Sequence, residues 1–166
     1  MIDTPSGAIL SPCRLYRYLL WRVWDAPLQR TLLWIMLNPS TAAEDVDDAT
    51  IRVCMGRARL LGYGGIAVAN LFALRATNPR ALYECPSPIS STEEPGMNDT
   101  HILRVLQHTH NVICAWGTHG ELHGRGADMI AWLRVMGIGP MALKLNRDGS
   151  PAHPLRIPYS QPLVRI

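Results

Sequence analysis

Apolar positions along this chain fall into short runs broken by polar, glycine-rich or proline-rich stretches, and the runs change period. Residues 15–24, Leu-Tyr-Arg-Tyr-Leu-Leu-Trp-Arg-Val-Trp, are aromatic and β-prone, and they end at the turn signal Asp25-Ala26-Pro27. Residues 31–37 follow as a continuous apolar run. Together they predict an antiparallel hairpin whose second strand is buried on both faces. Asp47 or Asp48 is placed to cap a helix over about 49–62, with Ile51, Cys54, Met55, Ala58 and Leu61 on one face. Gly62-Tyr63-Gly64-Gly65 stops that helix and leads into a third strand at 66–71. Residues 73–96, rich in Pro, Ser and Thr, predict a long loop of the kind that is often functional. A helix near 98–109, a strand at 111–115, a helix near 124–136 and a strand at 141–145 complete the pattern. Met129, Trp132, Leu133 and Met136 stand at core spacing in the last helix. The tail 146–166 carries Pro151, Pro154, Pro158 and Pro162 and predicts irregular structure.

From residue 31 onward strands and helices alternate. That predicts an α/β protein in three layers, α/β/α, with a mainly parallel central sheet and the N-terminal hairpin as an antiparallel edge. A length of 166 residues suits one domain, 1–166, and no internal repeat divides it. Apolar residues make up 48% and charged residues 17%, which excludes a disordered chain. No apolar run approaches the length of a membrane span, and the first residues lack the basic and apolar regions of a signal peptide. A cytoplasmic protein is expected. Cys13, Cys54, Cys85 and Cys114 are scattered without a Cys-x-x-Cys pair, so they read as reduced, structural thiols rather than metal ligands. A net charge of +3 permits a nucleic-acid partner without demanding one. Lys144 is the single lysine, and arginine, which dominates the basic residues, suits planar phosphate contacts but also follows from codon usage alone.

The segments that follow the strands carry the chemistry. They are Asn38-Pro39-Ser40-Thr41, Asn70-Leu71-Phe72, Trp116-Gly117-Thr118 and His153-Pro154-Leu155. In a parallel sheet these meet at one edge, where ligands bind. Two carboxamides, an imidazole and an aromatic then converge with little charge nearby, which fits a neutral, planar, hydrogen-bonding ligand such as a nucleobase. Neither phosphate-cradling glycine motif, Gly-x-x-x-x-Gly-Lys or Gly-x-Gly-x-x-Gly, is present.

Leu37-Asn38-Pro39-Ser40-Thr41-Ala42, Asp47-Asp48-Ala49-Thr50-Ile51, Asn70-Leu71-Phe72-Ala73-Leu74-Arg75-Ala76-Thr77, Trp116-Gly117 and His153-Pro154-Leu155 together resemble an uncharacterised bacterial and phage domain family. That likeness runs from Tyr16 to Leu155. More distantly, the order of the motifs resembles the uracil-DNA glycosylase superfamily, with its Asn-Pro or Asp-Pro loop, strand-ending asparagine and His-Pro loop. This second resemblance implies a uracil-DNA-glycosylase-like fold and a monofunctional DNA glycosylase that needs no cofactor, with DNA as partner. Asn38 would orient the attacking water, Asn70 read the edge of the flipped base, and His153 donate to the departing base. Leu155 would wedge into the duplex, Phe72 or Trp116 stack on the base, and Arg75 meet a phosphate. Asp48 is the reserve general base, should Asn38 only shape its loop. Where the uracil-specific branch has a bulky tyrosine, this chain has Ser40. The resemblance therefore implies a pocket open to 5-modified pyrimidines, such as phage-type cytosines, and a role in antiviral defence.

Plainer readings stand beside these. Asn38-Pro39-Ser40-Thr41 is also an ordinary turn, and Asp45, Asp47 and Asp48 suit helix capping. His153 between prolines suits a surface loop. His119 and His123 would share a helical face, but Gly120 and Gly124 weaken that helix as a metal site. A hydrolase for free nucleosides or nucleotides and a non-catalytic binder of modified bases are the competing functions.

Overall fold

A computed structural model of the chain describes residues 5–25, 30–43 and 45–166. Its elements are β1 (Ser6–Leu10), β2 (Arg17–Val23), β3 (Thr31–Met36), α1 (Ala49–Leu60), β4 (Gly65–Asn70), α2 (Ala81–Glu84), α3 (Met97–Leu106), β5 (Val112–Cys114), 3₁₀ turns over Thr118–Gly124, α4 (Arg125–Val135), β6 (Met141–Ala142) and β7 (Val164–Arg165). The seven strands form one mixed sheet in the order β1-β2-β4-β3-β5-β6-β7. Strands β4, β3, β5 and β6 run parallel, whereas β1, β2 and β7 join antiparallel at the flanks.

The hairpin expected between the first two apolar runs is corrected. β2 does not pair with β3; β4 lies between them, with Leu20 opposite Val68 on one side and Trp34 opposite Val68 on the other. Burial explains the difference. Leu32 to Met36 are all buried, and only a strand with neighbours on both edges and helices on both faces hides such a run. Each large apolar side chain so placed contributes roughly 1.5–3 kcal/mol. The true N-terminal hairpin is β1 with β2, an antiparallel edge as expected but one strand earlier. β1 escapes the hydrophobic pattern because it is only Ser-Gly-Ala-Ile-Leu. Its Gly7 lies under the Trp21 indole, where a Cβ would sit 2.2 Å from the ring. Beyond Asp25, the turn expected after the first run lies outside the described residues.

Alternate residues of β3 face two cores. Leu33 and Ile35 pack with Ile102, Val105 and Leu106 of α3 and Met129 and Leu133 of α4. Leu32, Trp34 and Met36 pack with Ile51, Cys54 and Ala58 of α1. Helix α1 matches its prediction, and Asp48 caps it by accepting from the Ile51 amide at 2.9 Å. The last predicted strand shrinks to two residues, so Lys144 lies beyond it, solvent-exposed, its carbonyl accepting from the Ala152 amide at 2.8 Å. The long loop contains the short helix α2, and the tail returns as β7 against β6. No helix among the described residues is long and apolar enough to cross a membrane.

Candidate functional site

The parallel strands set the position of the site. From β3 the chain crosses through α1 to β4 on one side, then through α3 to β5 on the other. The two strands that follow β3 in the chain are placed on opposite sides of it, which opens a crevice beyond the carboxyl ends of β3 and β5. A cavity of about 380 Å³ lies there, and Asn38, Ser40, Asp48, Asn70, Trp116 and His153 all line it. The four strand-end segments therefore meet as expected. Val68, Asn70, Ile51 and Trp116 are buried at its floor, and Thr77, Thr118 and His153 are exposed at its mouth.

Asn38 ends β3 with its amide group committed. Nδ2 donates to the carbonyl oxygens of Ala76 at 2.8 Å and Pro39 at 3.1 Å, with Leu74 O at 3.5 Å. Carbonyls only accept, so this fixes the amide orientation and leaves Oδ1, an acceptor, without a partner among the described residues. The neighbouring backbone zips the same loop: the amides of Leu71, Phe72 and Ala76 donate to Met36, Leu37 and Pro39.

Asn70 is the opposite case. It ends β4 with only 3% of its surface exposed. Its backbone oxygen accepts from Asn98 Nδ2 at 2.9 Å, but its own carboxamide faces the cavity with no partner among the described residues. A carboxamide that lines a cavity and holds nothing in the protein is free to meet a ligand, and a site is the usual reason to retain one.

Ser40 Oγ donates to Asp48 Oδ2 at 3.1 Å, while Asp48 Oδ1 holds the Ile51 amide. Asp48 is thus both a helix cap and a wall of the cavity. His153 Nδ1 accepts from the Leu155 amide at 3.4 Å, which makes Nε2 the protonated nitrogen of the neutral ring. His153 reaches solvent at the mouth, but desolvation of its ring against the cavity wall lowers its pKa, and the nearby Asp48 carboxylate offsets part of that. The ring is neutral at pH 7 and offers an N–H donor. Trp116, 3% exposed, is seated on two glycines: a Cβ at Gly120 would stand 2.1 Å from its Cδ1, and one at Gly126 2.9 Å from its Nε1. Gly117 adopts φ +73, which favours glycine, and its amide donates to Pro151 O at 2.8 Å, tying the Trp116 loop to the His153 loop.

Three expected roles change. Phe72 is fully buried among the core side chains, so of the two stacking candidates Trp116 alone lines the cavity. Arg75 donates to the carbonyls of Arg14, Thr41 and Ala42; it braces the Asn38 loop and does not face outward for a phosphate. Asp47 is anchored by Arg22, with 2.7 Å between Nε and Oδ1. Leu155, 37% exposed, follows His153 near the mouth, where a wedge would stand.

Two cavity residues went unread in the sequence. Arg17, 6% exposed at the start of β2, reaches the cavity; its signal was a charge heading a largely apolar strand. His119 lines the mouth and shares a hydrogen bond of 3.0 Å with the Tyr83 hydroxyl, in an edge-to-face contact. His123, its expected partner on a helical face, is exposed at φ +55 and lies outside any such face. Among the described residues no group of three His, Cys, Asp or Glu side chains is placed to hold a metal ion. Burial pushes the thiols of Cys54 and Cys114 well above the ordinary value, as expected of inert core cysteines.

Fold and cavity together define an α/β protein with a pocket of mixed polar and apolar lining at the ends of its parallel strands. The chain belongs to the family described as "Protein of unknown function (DUF1643)", whose model matches residues 17–155. No curated protein and no solved structure matches it.

Proposed function

We propose that the protein is a DNA glycosylase that hydrolyses the N-glycosidic bond of a flipped-out, 5-modified pyrimidine and leaves an abasic site. The observation that carries this reading is Asn70: a nearly buried carboxamide, open on its hydrogen-bonding edge, at the floor of a cavity sized for a nucleobase. A carboxamide offers a donor and an acceptor in one plane, which matches the edge of a base. Trp116 supplies an aromatic face beside it. Placement of α1 on one face of the sheet and α3 and α4 on the other supports a three-layer, uracil-DNA-glycosylase-like arrangement.

The chemistry follows from what each group has left to give. Cleavage builds positive charge on the sugar and negative charge on the base. The neutral His153 ring donates from Nε2 to the base as that charge develops, in a cavity partly screened from water. Asn38 Oδ1 accepts from the attacking water and so orients a lone pair toward the sugar carbon. Asp48 stands on the same wall as the base that takes the proton. The new bond joins water oxygen to the sugar carbon, and the bond to the base nitrogen breaks. Leu155 fills the space that the flipped base vacates, offsetting part of the cost of unstacking. A defence against phages with modified cytosines follows from this substrate class.

A second reading, a hydrolase of free modified nucleosides, is favoured by one observation. Arg75, the expected phosphate contact, is spent on backbone carbonyls. Duplexes carrying uracil, thymine or 5-hydroxymethylcytosine, assayed with an aldehyde-reactive probe, separate the two. Abasic sites are expected on the modified duplex, falling at least about tenfold in Asn38→Ala and His153→Ala. Release of base from nucleosides alone sinks the DNA reading.

A further inference from the structure

The cavity wall that carries Asn38, Ser40 and Asp48 is chemically one-sided. Asn38 has spent its amide hydrogens on backbone carbonyls and turns only Oδ1 outward. Asp48 is a carboxylate with no hydrogen to give. Ser40 has one hydroxyl hydrogen, and that hydrogen goes to Asp48 Oδ2 at 3.1 Å, because a carboxylate can only accept. What Ser40 presents to the cavity is therefore a lone pair. All three residues line the same space. The side chains on this wall accept and do not donate.

Size and charge narrow the ligand further. A cavity of about 380 Å³ lies within the range of small-ligand sites and has room for a pyrimidine with a small substituent. The Asp48 carboxylate is felt as far as His153, whose pKa it raises against the effect of burial. An anionic substituent beside Ser40 meets that field unfavourably. An apolar one strips water from the Ser40 and Asp48 oxygens and returns no hydrogen bond. A hydroxyl or amine satisfies them.

We infer that the pocket selects pyrimidines whose 5-substituent donates a hydrogen bond, with Ser40, polarised by Asp48, as the selecting acceptor. This rests on the glycosylase reading for where the substituent points. Sites built to hydrogen-bond a hydroxyl or amine reject analogues that lack it far more strongly than apolar pockets reject size.

The test uses the full chain and two readouts. Binding of 5-methyl-, 5-hydroxymethyl-, 5-aminomethyl- and 5-carboxy-deoxycytidine is measured by calorimetry, and abasic-site formation is measured on duplexes carrying the same bases. Hydroxymethyl and aminomethyl forms are expected to bind at least about tenfold more tightly than methyl, with carboxy weakest. Ser40→Ala is expected to bring the hydroxymethyl-to-methyl ratio close to one; a ratio is unaffected by a fraction of misfolded protein. Equal binding of methyl and hydroxymethyl forms, or an unchanged ratio in Ser40→Ala, overturns the inference. Equal excision of both bases overturns it too, but leaves the glycosylase standing. Ranked binding without abasic sites keeps the selectivity and removes the glycosylase. No binding of any nucleoside, together with no abasic sites on any duplex, overturns both.

Discussion

At the scale of single residues, two asparagines in contact carry opposite burdens. Asn98, fully buried, donates from Nδ2 to the carbonyls of Asn70 and Leu71, while its Oδ1 has no donor among the described residues. Arg125 Nε also donates to the Leu71 carbonyl, so removing Asn98 strands that of Asn70, and Asn98→Ala should lower unfolding free energy by about 1–3 kcal/mol in urea titrations. Asn70→Ala removes a carboxamide that holds no part of the fold, and should leave the urea midpoint nearly unchanged while base binding is lost. A large loss of stability in Asn70→Ala would place that side chain in the framework instead. Much of this scale was legible in the sequence, because Asn38, Asn70 and Trp116 each stand directly after an apolar run and His153 follows shortly after the last one. Phe72 and Arg75 were misassigned for a physical reason. Position past the strand says that a residue is near the site, not whether its side chain turns toward the cavity, the core or the neighbouring backbone.

Elements add constraints that no single residue shows. The 3₁₀ turns and the start of α4 close over the indole of Trp116 through Gly120 and Gly126. A methyl group at 120 would overlap the ring, so Gly120→Ala should displace the indole, redden its fluorescence and weaken base binding, while the sheet stays intact by circular dichroism. Unchanged Trp116 emission and binding would show that the turn yields instead of the ring. Helix α1, its cap and the strand-helix alternation were readable because period and capping are local. Pairing of β2 was not, since sequence neighbours need not be sheet neighbours. The strand that takes the place beside β3 arrives some thirty residues later, after α1.

For the molecule as a whole, acid is the expected weakness. Burial lowers the pKa of His101, helped by Arg104 and opposed by Glu94, and burial also lowers that of His153. Both rings sit below their ordinary 6.5 when folded, so the unfolded chain takes up protons first as pH falls. Stability contributed by the two neutral rings is complete above 6.5 and declines as pH drops through and below it. The urea midpoint should be lower at about pH 5.5 than at about pH 7.5, and His101→Gln should narrow that gap; a gap of equal width in the variant would assign the effect elsewhere. His101 stacks on Tyr18 at 5.4 Å between centroids, so its charging is felt where α3 meets β2. The sheet edges carry a different consequence. Of the described edge strands, β7 is two residues long and β1 breaks register between Ile9 and Leu10. A foreign strand finds no long, straight row of free amides and carbonyls at either flank. At the described edges, crowded copies of this chain therefore meet no extended template for fibril growth, even though the sheet between those edges is almost wholly apolar at its centre.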